Sequence, residues 1–188
     1  MKTTPTAEQT ELLPPTARDP WKAPVAVSIR TATTDDAPAV QALISHRGAD
    51  ARLLPRHESE IAAHADRFVV AVRGATIVAC ADLVPLGSRT AEVRSLVVDP
   101  EARTFGVGDR LLAKVAARAR ALGFETLCAF THTPAWFIHR GFAIVPHTWV
   151  PEKLAADCRN CHQFRQCDQI AVTRALADGR GLPAEGRQ

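Results

Sequence analysis

The segment Val97-Val98-Asp99-Pro100-Glu101-Ala102-Arg103-Thr104-Phe105-Gly106-Val107-Gly108 constrains the fold of this chain more than any other stretch. An apolar run stops at Asp99-Pro100 and a polar loop follows. Val107, Leu111, Leu112, Val115, Ala119 and Leu122 then recur at the spacing of one buried helix face. A strand that feeds a long helix implies layered α/β architecture. The opening of that helix leaves backbone N–H groups unpaired, and with the positive end of the helix dipole they attract an anion such as pyrophosphate. Gly106 and Gly108 keep side chains away from the backbone where phosphate oxygens would approach, and Arg103 adds a charged donor. The bland alternative is a tight bend whose glycines serve conformation alone, since short glycine motifs recur by chance. The segment has no Walker lysine and no Gly-x-Gly-x-x-Gly, so nucleoside triphosphates and dinucleotides fit it less well.

The flanking sequence alternates strand and helix signals. Strands are expected at Val25 to Ala32, Phe68 to Val72, Thr76 to Val84, Thr90 to Val98, Thr126 to Thr131, Phe142 to Val145 and Ile170 to Leu176. Thr34 is positioned to cap a first helix opened by Asp35 and Asp36, and a short helix is expected in Glu58 to Ala65. The long helix should end at Gly123, and a further short one lies in Ala135 to His139. A turn at Arg73-Gly74 should join two of the strands. Residues 1–24, with prolines at 5, 14, 15, 20 and 24, read as a flexible leader, residues 25–176 as one catalytic domain, and residues 177–188 as a flexible tail.

Composition narrows the classes of function. A formal net charge of +3, with 23% charged residues, does not mark a nucleic-acid binder. No run approaches the roughly 18 apolar residues that cross a bilayer. Five cysteines, an odd number, argue for reduced thiols, and the expected location is the cytoplasm.

The spacing Arg103-x-x-Gly106-x-Gly108 resembles the coenzyme A pyrophosphate signature of the GNAT acetyltransferase superfamily. Downstream, Trp136-Phe137-Ile138-His139-Arg140-Gly141-Phe142 resembles the closing helix and Gly-Phe strand start of the same enzymes. The resemblance implies an α/β GNAT fold with a mixed central sheet of six to seven strands flanked by helices, and acetyl-CoA as cosubstrate. Leu96, Val97, Val98, Arg103, Thr104, Phe105, Gly106, Val107 and Gly108 are the residues it places against that donor. Leu53-Leu54-Pro55-Arg56, Ala91-Glu92-Val93-Arg94-Ser95-Leu96-Val97-Val98-Asp99-Pro100, Val150-Pro151-Glu152-Lys153, Asp157-Cys158-Arg159-Asn160-Cys161 and Cys167-Asp168 are together similar to the short N-acetylglutamate synthases. That likeness implies acetylation of the α-amino group of L-glutamate, the first step towards arginine. A GNAT enzyme with another amine acceptor and a catalytically silent CoA-binding module are the alternatives.

Glutamate carries two carboxylates, so a selective site needs at least two cationic or strongly donating groups. Arg56, Arg94 and Lys153 are candidates, with Ser95 offering backbone contacts. Each taken singly could equally be a solvated surface charge. Acetyl transfer also needs a neutral amine and a donor for the charge that grows on the thioester oxygen. A backbone N–H near Leu96 or Val97 suits the second need if the strand bulges there, as is common in the superfamily. Glu92, four residues before Leu96, shares its nominal face if no bulge intervenes. By resemblance it is the candidate base, acting through water, and otherwise a charge on the strand. The chain contains no tyrosine, which many GNAT enzymes use to protonate the leaving thiolate. Thr131, Ser95 or water are left for that task.

Cys158, Cys161, His162 and Cys167 form half of a zinc-knuckle pattern, a weak metal candidate beside free thiols in a loop or a disulfide. Cys80 and Cys128 fall in expected strands, where a thiol packs as a small hydrophobe. The expected partner is a small-molecule substrate, with no nucleic acid and no membrane. A homo-oligomer is left open.

Overall fold

Alternation along the strands, interrupted by bulges, divides the apolar residues between two faces, and each face finds its own helices. A computed structural model describes residues 26–51, 53–161 and 164–176, without the side chains of 47–51, 104 and 105. The leader, the tail and His162 lie outside the described residues.

Seven strands form one mixed sheet in the order β1-β2-β3-β4-β5-β7-β6. They are β1 (Val27–Thr31), β2 (Phe68–Arg73), β3 (Thr76–Pro85), β4 (Thr90–Val98), β5 (Thr126–Thr131), β6 (Ala143–Ile144) and β7 (Ile170–Ala175). All neighbours are antiparallel except β4 and β5. The helices are α1 (Ala37–Ala51), α2 (Glu58–Ala63), α3 (Val107–Ala121), α4 (Pro134–Ile138) and α5 (Pro151–Ala156).

On one face, Val69, Ala79, Ala81, Leu83, Ala91, Val93, Leu127 and Ala129 pack under Val107, Leu111, Leu112 and Val115 of α3 and Phe137 of α4. On the other, Phe68, Val70, Cys80 and Val97 meet Val40 and Ile44 of α1 and Ile61 of α2. A separate cluster on that second face joins Cys128 and Ala171 to Val145 and Val150. Between these two clusters the sheet bears Asp82, Glu92 and Arg94, so charge interrupts the apolar surface there.

The helix opened by Asp35 and Asp36 begins as a 3-10 turn over Thr34–Asp36, and Thr33 rather than Thr34 is its cap. The Thr33 N–H donates to Asp36 Oδ2 at 2.7 Å. Arg30 forks onto the same carboxylate at 2.6 and 2.8 Å, and its hydrogen bonds hold the Asp36 carboxyl well below the usual range despite partial burial. Gly74, at φ 62, turns β2 into β3, while Arg73 remains the last paired residue of β2. The strand expected at Phe142 to Val145 shortens to two residues at the sheet edge, because Phe142 turns inward to pack edge-on against Phe137. Helix α5 was not expected from the sequence; Pro151 opens it.

Candidate functional site

Two departures from regular pairing create the site. The first is in β4. Asp82 lies opposite Arg94 and Cys80 opposite Val97, so β4 carries one extra residue between them. Ser95 sits in that bulge with φ 48, and among the described residues it is the non-glycine with positive φ. The bulge reverses the side-chain alternation. Glu92 and Arg94 therefore share the face of Val97, whereas Leu96 and Val98 pack on the α3 side. Glu92 and Leu96 thus lie on opposite faces, which corrects the same-face arrangement expected without a bulge.

The second departure is between β4 and β5. They pair through Thr90, Ala91 and Glu92 only, opposite Thr126, Leu127 and Cys128, although β4 runs on to Val98 and β5 to Thr131. The strands part just beyond Glu92, leaving the later half of β4 with one edge free of β5. Asp99 N–H donates to Val78 O across β3 at 2.8 Å. By alternation the N–H of Val98, and two residues earlier that of Leu96, point to the parted edge. The Val98 carbonyl accepts from Arg103 Nε at 3.3 Å, and the Val97 N–H is directed at Cys80. Of the two expected oxyanion donors, Leu96 is therefore the one facing the opening.

The chain leaves β4 through a 3-10 turn over Pro100–Phe105, where the Asp99 side chain caps Glu101 N–H at 3.0 Å. Thr104 and Phe105 lie in that turn. Gly106 follows at φ 63, a left-handed conformation that favours glycine, with open space where a Cβ would project. The helical ladder of α3 starts with Arg110 N–H donating to Gly106 O at 3.2 Å, so the N–H groups of Val107, Gly108 and Asp109 precede it. Arg103 is exposed beside this opening. Gly108 also has a packing reason to be glycine. A Cβ there would stand 3.2 Å from the Trp136 ring, so this glycine lets α4 pack over the start of α3. Arg140 lies over that ring, 3.8 Å from its centroid, and pairs with Asp109.

On the opposite face the expected cations are drawn to buried carboxylates. Glu92 is 2% exposed and binds Lys153 Nζ at 2.9 Å and Arg94 Nε at 2.5 Å. Both cations also reach Asp157, Lys153 at 2.9 Å. Arg56 donates from Nη2 to Asp82 Oδ2 at 3.1 Å and lies 2.9 Å from Glu60. Its Nε is buried without a hydrogen-bond partner among the described residues. Arg67 forks onto Asp82 at 3.2 and 2.9 Å. Asp82 and Glu92 are diagonal neighbours across β3 and β4, roughly 7–8 Å apart. Arg56, Arg94 and Lys153 thus gather on one face although they come from three separate segments.

Thr131 ends β5, and its oxygen accepts from Thr133 N–H at 3.0 Å, a local cap at the turn into α4. His132 lies 3.3 Å from Asp168. Burial first, then neighbouring carboxylates, push the thiols of Cys80 and Cys128 up to about 12, so neither supplies a thiolate nucleophile at neutral pH. All five cysteines are free. Among the described residues no group of three or more His, Cys, Asp or Glu is placed to hold a metal ion. No described helix is long and apolar enough to cross a membrane.

Sequence reasoning missed Asp82 and Arg67, and it gave Asp157, although part of the family-like stretch, no role. A lone carboxylate inside Val78-Ala79-Cys80-Ala81-Asp82-Leu83-Val84 was a readable signal, because a buried charge requires partners. Asp157 stands four residues after Lys153, at the spacing of a helical ion pair.

A parted β4–β5 pair, a bulge at Ser95 just past the parting and a glycine-opened helix after it define a fold built to hold an acyl carrier. The chain belongs to the acetyltransferase (GNAT) family, which its residues 33–142 match. Within that family it is similar to the amino-acid acetyltransferase of Ectopseudomonas mendocina, with 38% identity over 117 residues, 61% of this chain and 27% of that protein. An uncharacterized N-acetyltransferase of Chlorobaculum tepidum is 28% identical over 79% of this chain and 96% of its own length. Among solved structures, N-acetylglutamate synthase from Neisseria gonorrhoeae, complexed with coenzyme A and N-acetylglutamate, superposes with TM-score 0.73. Its identity is 29%, over 81% of this chain and 36% of that one. The chain therefore spans about a quarter to a third of the length of the amino-acid acetyltransferases it matches.

Proposed function

We propose that this domain moves the acetyl group of acetyl-CoA to the α-amino group of L-glutamate, the first step towards arginine, in the cytoplasm. The observation that carries the reading is the gathering of Arg56, Arg94 and Lys153 on the face of the sheet where β4 and β5 part. A dicarboxylate amine needs such cations, whereas a polyamine would need acidic walls. Similarity to amino-acid acetyltransferases and to a synthase complexed with N-acetylglutamate supports the same acceptor.

In this reading the N–H groups at the start of α3, opened by Gly106 and flanked by Arg103, hold the diphosphate of the donor. Leu96, Val97 and Val98 line its extended arm, and Thr104, Phe105, Val107 and Gly108 complete the cradle. Acetyl-CoA supplies a thioester carbonyl that an amine attacks. The Leu96 N–H stabilises charge on the carbonyl oxygen. Glu92 takes the proton of the ammonium group through a water, since its own oxygens are held by Arg94 and Lys153. Arg56 receives an acceptor carboxylate, Arg94 and Lys153 bind the other, and the Ser95 backbone helps to orient it. Thr131, Ser95 or water returns a proton to the thiolate.

The test is thiol release by the purified full-length chain with acetyl-CoA and a panel of amino acids and polyamines. L-Glutamate should show the highest kcat/KM; glutamate at background while another amine turns over would reject the acceptor and keep the family. Arg56→Ala should raise the KM for L-glutamate about 10- to 100-fold, the loss of a charged hydrogen bond of about 1.5–3 kcal/mol. KM for acetyl-CoA should stay within about twofold. Equal effects on both would make Arg56 structural.

A further inference from the structure

The cations at the parting of β4 and β5 already hold a carboxylate that belongs to the chain itself. Asp157 caps the C-terminal end of α5, and its Oδ2 accepts from Lys153 Nζ at 2.9 Å and from the Arg94 guanidinium. Glu92 binds the same two cations from below. The two anions differ in their surroundings. Glu92 is enclosed in mid-sheet, whereas 37% of the Asp157 side chain is exposed, at the end of a helix of six residues. Burial works against the Asp157 carboxylate, but the hydrogen bonds and charges of Lys153 and Arg94 outweigh it and hold its carboxyl below the usual range. At neutral pH this occupant is therefore an anion.

Two cations and two anions leave the cluster neutral. An incoming carboxylate that took the outer position would keep that balance and leave no donor unpaired. Exchange of one carboxylate for another avoids stranding a charge in a partly buried site, which is the costly event for such clusters.

We propose that Arg94 and Lys153 form a carboxylate subsite whose resting occupant is Asp157, displaced when an acidic acceptor binds. This rests on the reading that the acceptor carries a carboxylate. Asp157 then acts as a specificity-determining residue. A ligand must outcompete it, and the apparent affinity falls by the fraction of time the subsite is closed. Neutral amines, which bring no carboxylate, leave the pair in place.

The experiment is titration calorimetry of the full-length chain with glutarate, a dicarboxylate without an amine, alongside kinetics with L-glutamate. Asp157→Asn should tighten glutarate about tenfold and lower the KM for L-glutamate by a similar factor, without changing the KM for acetyl-CoA. Asp157→Ser should behave alike, and adding Arg94→Gln to either variant should abolish the gain. Glutarate affinity that weakens, stays within twofold or is undetectable in both single variants overturns the proposal, because Asp157 would then be positioning the cations. A wild-type chain that does not turn over L-glutamate defeats the acceptor assignment. Tighter glutarate in the variants would still uphold the subsite in that event.

Discussion

Replacing Glu92 with glutamine is expected to lower kcat by about 10²- to 10⁴-fold, with the KM for acetyl-CoA unchanged. Glutamine keeps the shape of the side chain and can still accept a hydrogen bond from Arg94 or Lys153. It cannot carry a proton away from the attacking amine. The variant therefore separates two roles that the geometry superimposes, since Glu92 both holds two cations and sits where β4 leaves β5. If holding the cations were its whole contribution, Glu92→Gln would raise the KM for the acceptor and spare kcat. The neighbouring strand offers no substitute base: Cys128, directly opposite Glu92, keeps its proton because burial first, and the Glu92 charge second, push its thiol up to about 12. Steady-state kinetics on the folded variant decides between the two.

Asp82→Ala should be the most destabilising single substitution in the site, by about 3–5 kcal/mol. Asp82 has no exposed surface and accepts from two guanidiniums, Arg67 through a fork and Arg56 through one arm. Removing it strands two largely buried cations, of which, among the described residues, only Arg56 has another carboxylate, Glu60, within reach. At about 2–4 °C per kcal/mol for a domain of this size, the thermal midpoint should fall by roughly 10 °C. Asp82→Asn, which keeps acceptor capacity but not charge, should fall between wild type and alanine. A midpoint within about 2 °C of wild type for the alanine variant would mean that water satisfies both arginines. Because Arg56 is held by Asp82, any surviving Asp82→Ala protein should also show a raised KM for the acceptor.

The opening of α3 was legible in the sequence because everything it needs is local. The strand stop at Asp99-Pro100, the glycine spacing and the apolar period of the helix lie within one continuous stretch. Chain-local signals also marked six of the seven strands closely. The edge strand β6 was trimmed because packing of Phe142 against Phe137 overrode its β propensity. The bulge was less accessible. No residue near Ser95 has the composition of a left-handed position, and its φ of 48 is imposed by the mismatch of register with β3. Gly108 shows the same limit from the other side: its place in the motif was visible, but the Trp136 ring that would crowd a side chain there comes from a helix 28 residues further along.

By itself, then, the sequence determined the order of the elements, a glycine-opened helix start after β4, and the presence of the arginines, the lysine and the glutamate on which the proposed acceptor site is built. Tertiary structure alone decided which of these meet. Register across β3 and β4 set Asp82 beside Glu92, the bulge put Glu92 and Leu96 on opposite faces, and α5 delivered Lys153 and Asp157 to Arg94. The physical reason is range. Backbone amides and helix periodicity act within a few residues, whereas a buried charge is satisfied only by partners that folding brings from elsewhere in the chain.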